Sequence, residues 1–505
     1  MPRRRALLHM GLALAALPQG AQAAKPEDAL RIAWRDAVPD LDPYRNQLRT
    51  GFVLAHHLWD CLVDRDPETF QIRPLLAESW RQEDDTTWRF TLRPNILFHD
   101  STPCAPEDVA YTVRTVLDAG TVAVPGLFAW LAGAEPAGER DVLLKLRAPF
   151  PAVLEYLAMV LPVLPRAYRE RVGAAGFAQA PVGTGPYRLA AATFPDLLRL
   201  ERFDGYFSGS PKGRPAIGRI LVSAVADPLA ELTALMSDQA DWIWQIGPDA
   251  FAAVSQAAGL QALRGDSLRF GYLSMDAAGR SGAGNPLTAT KVRQAICHAI
   301  DRAAIVQRLG VVAGRVLDTP CFPTQFGCDA GAVRRYPFDP ARARALLAEA
   351  GVPDGFATTL VSYVLPEVGA AVRASLQAVG IAAELVQLPT AAAIARAEAG
   401  AAPLFLGSWG SYSVNDVAAI LPQFFGGGPL DYARQPELAD MLDRAGASGD
   451  ADLRRVLYGQ AIRRISTDAL WLPLHTYAAT YGMTRTLNAR PFADELPRFY
   501  LASWK

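Results

Sequence analysis

Histidine is scarce in this chain, six in 505 residues. Five of them lie beyond residue 23, namely His56, His57, His99, His298 and His475, and none of these falls at a standard zinc spacing. His56 and His57 are neighbours, which on a helix turns them about 100° apart. There is no HExxH, no GxSxG and no SxxK placed to begin a helix with partner motifs, so the chain is read as a binding protein and not as an enzyme. Cysteine is scarce too, and no pair has the CxxC spacing of a zinc ribbon or a thioredoxin-type site. Neither sign of charge dominates: 50 basic residues face 51 acidic ones, which leaves no strong field toward nucleic acid or anionic lipid. Beyond the first residues no segment reaches membrane-spanning length without a charge or a breaker. No repeat of fixed period is present, and no cofactor is implied.

What is present begins at the N-terminus. Arg3, Arg4 and Arg5 precede an apolar run from Ala6 to Leu17, then Pro18 and Gly20 break it. Ala21-Gln-Ala23 supplies small residues for cleavage after Ala23. The run of about 12 residues is too short for the ~20 that span a bilayer, so residues 1–23 are expected to be a secretory signal peptide. Arg4-Arg5-Ala6-Leu7-Leu8 also loosely fits a twin-arginine signal, so the export route stays open. Without residues 1–23 the chain carries 47 basic and 51 acidic residues. Its five cysteines, Cys61, Cys104, Cys297, Cys321 and Cys328, would then meet an oxidising compartment. Cys321 and Cys328 flank a turn-rich stretch where a small loop disulfide is plausible; Cys297 sits in a helical pattern and reads as a buried thiol.

Elements alternate along the chain between short β-rich runs and helical patterns, which argues for a mixed α/β fold, and the length suggests two to four domains. A helix is expected from Pro106, with Glu107 and Asp108 in its first turn and Val109, Val113, Val116 and Leu117 as its stripe. A second is expected over 291–309. A third starts after the cap Asp339, with Pro340 in the first position and Gly351 at its end. Strands are expected at 30–34, 88–92, 142–146, 220–225, 270–275 and 472–483.

Five segments carry motifs, in order. They are Asp40-Leu-Asp-Pro-Tyr44 with Leu58-Trp-Asp-Cys-Leu-Val63; Pro74-Leu-Leu-Ala-Glu-Ser-Trp80; Leu92-Arg-Pro-Asn-Ile-Leu-Phe-His-Asp-Ser-Thr-Pro103 followed by Ala105-Pro-Glu-Asp-Val109; Pro181-Val-Gly-Thr-Gly-Pro-Tyr187; and Val292-Arg-Gln-Ala-Ile296 with Ala299-Ile-Asp-Arg302. Together, over roughly residues 30–480, they resemble family 5 of the extracellular solute-binding proteins, the class serving peptide, nickel and opine importers of the ATP-binding-cassette type. Each segment also has a local reading. His99 lies in a turn and is expected to bond backbone. Gly183-Thr-Gly185 lacks the Walker lysine and is expected to form a tight turn shaping the wall between domains. Arg293, Asp301 and Arg302 are expected to be solvated or locally paired.

The resemblance implies a two-lobed periplasmic-binding-protein fold (type II, the large three-subdomain form) whose lobes close on a ligand about crossing strands, for which 270–275 and 477–483 are the candidates. The division it implies is a discontinuous first lobe, 24–55 with 176–268 and 481–505, an accessory subdomain 56–175, and a second lobe 269–480. It also implies a monomer that captures a peptide or peptide-like small molecule in the periplasm and docks on an inner-membrane permease pair driven by an ATPase, with sensing as an alternative role.

Candidate ligand-binding residues are Trp409, Ser411, Tyr412, Asp416, Trp244 and His475. Leu406-Gly-Ser-Trp-Gly-Ser-Tyr-Ser-Val-Asn-Asp416 resembles the family's ligand loop, in which an acid grips a peptide's ammonium. Here Trp409 matches, the acid position holds Ser411 or Tyr412, and Asp416 is available only from a shifted position; a hydroxyl holds an ammonium far less well than a desolvated carboxylate. Trp409 is otherwise core. Trp242 and Trp244 alternate along a strand, with one face read toward a cleft and the other toward the core. His475 in an apolar strand is either a packed histidine or a contact to a metal chelate. The alternatives to a peptide are therefore a chelate or opine ligand, or a secreted hydrolase.

Overall fold

The computed structural model describes residues 28–46 and 48–505. The signal-peptide reading of residues 1–23 lies outside the described residues. Two long strands, Leu260–Met275 and Trp471–Thr484, pair antiparallel at the centre of the largest sheet. On one side of this pair the sheet continues through Leu404–Trp409, Phe356–Ser362 and Ile381–Gln387. On the other it continues through Trp242–Trp244, Ala29–Trp34, Arg219–Ala224, Leu197–Arg202 and Tyr187–Thr193. The two strands thus belong to both halves of the molecule, and each is longer than the sequence runs 270–275 and 477–483 suggested.

Burial explains why the pair was readable as strand but not as alternating strand. Trp471–Thr484 is buried at every position but the last, so it reads as a continuous apolar run rather than a half-wet one. In the second half its two faces feed two cores. Leu273, Met275, Leu472 and Leu474 pack with the helices Thr290–Ala299, Pro340–Glu349 and Pro366–Gln377. Phe270, Tyr272 and Trp471 pack with Leu421–Phe425, Pro436–Ala447 and Ala451–Thr467. The rings of Tyr272 and Trp471 stack at 3.8 Å. In the first half one continuous core joins Ala29–Trp34 and the helix Arg49–Leu58 to a four-stranded antiparallel sheet of Ala77–Asp84, Thr87–Leu92, Asp141–Leu146 and Leu131–Pro136.

The helix from Pro106 runs to Leu117, and Asp339 caps Pro340–Glu349 by accepting from the Arg342 amide at 2.9 Å. The helix expected over 291–309 is two helices. Ile300 is extended, and the Asp301 side chain accepts from the Ala304 amide at 2.9 Å to start Arg302–Leu309 afresh. Apolar spacing survives such a break, so periodicity alone does not reveal it.

Arg293 and Arg302 differ from the expectation of solvated or locally paired helix charges, since both reach carbonyls of distant segments. Arg293 is buried and donates to the carbonyls of Leu287, Thr288 and Asp468. Arg302 donates to those of Leu317, Tyr336 and Pro473 and pairs with Asp318 at 2.9 Å. A fork of five donors suits the gathering of loop carbonyls from distant segments.

The glycine turn packs inside the first half, against the end of Arg49–Leu58, where its segment meets those of Leu58 and His99. A Cβ on Gly183 would lie 2.0 Å from the Leu58 carbonyl oxygen, and one on Gly185 2.5 Å from that of His57. His99 bonds backbone there. The Gly183 amide donates to Nδ1 at 3.1 Å, so Nε2 carries the proton and donates to the Gly185 carbonyl at 3.0 Å. Burial pushes this histidine down to about 4, which keeps it neutral as that tautomer requires.

Candidate functional site

Strand Leu404–Trp409 ends in a turn, residues 410–416, that carries most of the candidate residues. Ser411 and Ser413 both have positive φ, 54° and 63°, a region that L-residues enter only when neighbours hold them there. Those neighbours come from both halves. Gln325, in the loop closed by the disulfide Cys321–Cys328, donates to Ser411 Oγ at 3.0 Å and to the Val414 carbonyl at 2.9 Å. From the first half, Arg49 donates to Ser413 Oγ at 2.6 Å and Arg65 to the Ser413 carbonyl at 2.5 Å. Glu155 accepts from the Asn415 amide at 3.1 Å and from Arg65 at 2.9 Å.

A buried ionic cluster lies under this contact. Asp494 sits between Arg65 at 3.0 Å and Arg498 at 2.7 Å, and the side chains of Arg65 and Asp494 have no exposed surface. Burial by itself would raise the Asp494 carboxyl, but the Arg498 and Arg65 guanidiniums outweigh it and hold the acid well below the usual range. Glu495 is lowered in the same way, against burial, by Arg269 and Arg49. Arg269 reaches it because Leu260–Met275 leaves its ladder between Asp266 and Phe270, where Ser267 donates to Glu495 at 2.7 Å and Arg269 approaches it at 3.1 Å.

The candidates separate against this frame. Trp409 is half-buried at the start of the turn; its Nε1 donates to the Ala419 carbonyl at 3.0 Å, and its ring meets Phe424 edge-on at 5.1 Å. Ser411 is buried and faces Gln325. The side chain of Tyr412 lies outside the described part of the structure. Asp416 is buried against Arg454 at 2.7 Å and accepts from the Ala418 amide, so its carboxylate is committed within the second half. Burial raises its carboxyl, with Arg454 pulling the other way.

Trp244 and Trp242 are both buried in one core, with rings 5.7 Å apart, which corrects the division of the pair between cleft and core. Residues two apart on a strand share a face. His475 is fully buried, with Nδ1 3.2 Å from the Thr476 carbonyl and Nε2 against Gly271, where a Cβ would lie 3.1 Å away. Burial pushes it down to about 4.

Arg49, Arg65, Glu155, Arg269, Asp494, Glu495 and Arg498 were not singled out from the sequence. They come from five segments, and the one local signal is the charged Asp494-Glu-Leu-Pro-Arg498 set in an apolar C-terminal stretch. A separate cavity of about 300 Å³ lies among Trp242, Tyr481 and the C-terminal segment 488–502. None of its lining residues comes from 276–470, so it does not bridge the halves.

The two halves, the crossing strands and the turn between them match a known architecture. The sequence profile described as Bacterial extracellular solute-binding proteins, family 5 Middle, matches residues 71–431. The chain belongs to this family. The glutathione-binding protein GsiB of Shigella dysenteriae serotype 1 (strain Sd197) is 26% identical over 493 residues, 93% of each chain. Among solved structures, NikA from Brucella suis in complex with Fe(III)-EDTA superposes with a TM-score of 0.83 at 22% identity, over 94% of this chain and 100% of that one. DppA from Helicobacter pylori in complex with the peptide STSA gives 0.79 at 20% identity, over 94% and 98%. The fold is therefore the two-lobed, type II periplasmic-binding-protein fold, and the chain is a substrate-binding component of the importer class that this solute-binding family serves, alongside permease and ATPase components. The turn 410–416 lies at the seam between its lobes.

Proposed function

We propose that this protein captures a peptide or peptide-like molecule in the seam between its lobes and delivers it to the permease of an inner-membrane importer. One observation carries this reading. The turn 410–416 of one lobe is held by Arg49, Arg65 and Glu155 of the other, so the seam is closed by direct contacts around a half-buried tryptophan. Trp409 and Tyr412 are assigned to the ligand wall, and Ser411 and Asp416 to bracing the turn. Ligand entry stabilises the closed lobes, and the closed form is what the permease recognises.

The finer reading follows the same line. The protein works as a monomer in the periplasm after loss of residues 1–23, and it binds rather than transforms its ligand. The lobes divide as 24–55 with 176–268 and 481–505, the accessory 56–175, and 269–480; pairing of Trp242–Trp244 with the far end of Trp471–Thr484 supports the return of the chain to the first lobe.

Native mass spectrometry of the protein taken from the periplasm without refolding tests the ligand. A bound mass of a few hundred daltons that fragments into amino acids is expected. A metal with its chelator, or a non-peptide organic mass, would replace the peptide reading. A bare protein that no peptide library stabilises against melting would sink it.

A further inference from the structure

The charges at the seam are unevenly shared. Four guanidiniums, Arg49, Arg65, Arg269 and Arg498, share three carboxylates, Glu155, Asp494 and Glu495. Arg73 in turn holds two acids, Asp64 at 2.7 Å and Asp66 at 2.9 Å, so the compensating negative charge lies on the Arg498 side of the cluster, away from Arg49 and Arg269. Arg65 and Arg498 are buried, Arg65 spanning Glu155 and Asp494 and Arg498 resting on Asp494. The surplus therefore falls on Arg49 and Arg269, which both turn to the single carboxylate of Glu495. Arg269 takes Oε1 at 3.1 Å, where the Ser267 hydroxyl also donates. Arg49 is left 3.7 Å from Oε2, beyond hydrogen-bond length.

Both side chains keep accessible surface, 24% for Arg49 and 31% for Arg269. Both flank Gly410, the residue after Trp409. A Cβ there would lie 3.3 Å from Arg49 Nη2 and 3.7 Å from Arg269 Cβ, so both arginines pack against this turn. Burial first, and then Arg269, lower Arg49 from its ordinary value, and Glu495 and Asp494 do not fully offset them. Nothing in the turn supplies a further counter-charge, since its one acid, Asp416, is committed to Arg454.

We propose that Arg49 and Arg269 form an anion subsite beside Gly410 that takes a carboxylate of the bound ligand on the open face of the pair they make with Glu495. This rests on the seam being the ligand site, and it reverses the polarity expected from a loop that grips an ammonium. Two forked donors on one carboxylate are a strong recognition element when water is excluded. Closure would bring them together, because Arg49 rides on one lobe and Arg269 on a crossing strand.

Isothermal titration of the full mature chain with reduced glutathione, glutathione diethyl ester and Fe(III)-EDTA tests the subsite. Glutathione is expected to bind, and its diester to bind on the order of tenfold more weakly, the size of one lost charge-assisted hydrogen bond. Arg49→Gln and Arg269→Gln should each weaken glutathione by a similar factor and leave the diester unchanged. Glu495→Gln should tighten glutathione by freeing both guanidiniums, a gain that misfolding cannot mimic; weaker binding there counts against the subsite. Equal affinity for acid and diester, or undiminished binding in both glutamine variants, overturns the subsite and leaves the peptide reading standing. Fe(III)-EDTA binding that both substitutions weaken, with glutathione inert, keeps the subsite and sinks the peptide reading. Failure of all three probes to bind overturns the subsite and leaves the peptide reading to the library screen.

Discussion

At the scale of the residue, two side chains at one turn have two different jobs. Trp409 is anchored at its indole nitrogen yet only half-buried, the arrangement of a wall that is held in place while it covers something. Trp409→Ala should weaken ligand binding roughly tenfold or more while leaving the far-ultraviolet dichroism and the cooperative melt intact; unchanged affinity by titration calorimetry would remove it from the site. Asp416 behaves oppositely. Arg454→Met would leave its buried carboxylate without a counter-charge and should cost about 3–5 kcal/mol in urea denaturation. Both residues stand out in the sequence, one as an aromatic beside a glycine and the other as an acid near the end of the loop. What separates them is the helix Ala451–Thr467, which brings Arg454 across from 38 residues away. No local pattern carries that distance.

At the scale of the element, close backbone approach and a small covalent loop set the geometry. The turn 183–185 lies so close to the end of Arg49–Leu58 that a methyl group on Gly183 would overlap backbone. Gly183→Ala should therefore cost about 1–3 kcal/mol by overpacking, read as a lower denaturation midpoint. Gly247→Ala, where a Cβ meets nothing within 4 Å, should change it little. The disulfide Cys321–Cys328 closes the loop that carries Gln325, and Gln325 in turn supports the strained Ser411. Replacing both cysteines by serine should lower stability by roughly 2 kcal/mol on the chain-entropy model. The turn-rich spacing made this disulfide a candidate, and the pairing is formed. Strand and helix positions were legible because apolar periodicity and caps are local, as at Asp339. The break at Ile300 was not, because the stripe continues through it.

At the scale of the whole molecule, the closed seam and the buried histidines govern behaviour. Glu155 holds Arg65 and the Asn415 amide together across the lobes. Glu155→Gln should shift the ligand-free protein toward the open form, seen as a larger radius of gyration in X-ray scattering and as ligand affinity reduced by the lost closed fraction. An unchanged scattering profile would mean that this contact does not control closure. His57, His99 and His475 are buried and pushed down to about 3, 4 and 4 respectively. Each is depressed below its unfolded value of about 6.5, so its full contribution is present above that pH. It is lost as pH falls from about 6.5 toward 4, when the unfolded chain takes up protons that the folded one refuses. Each can contribute up to about 1.4 kcal/mol per pH unit in that window. Urea midpoints at pH 7.5 and 5 should differ accordingly, and the difference should shrink in His99→Asn.

The sequence by itself determined the family-level outline of this protein: mixed α/β elements, the ordered motifs from Asp40 to Arg302, the turn at Trp409, and two late strands suited to cross between lobes. These depend on residues close together in the chain, where spacing, capping and turn chemistry act directly. Only the tertiary structure decided the site's electrostatics. Arg49, Arg65, Glu155, Arg269, Asp494 and Arg498 are ordinary charged residues in sequence, and their meaning depends on which of them share a buried carboxylate. It likewise decided that Trp244 and His475 pack while Trp409 is only half-buried, because burial depends on what a distant segment lays over a side chain, and coulombic pairing depends on separation in space rather than along the chain.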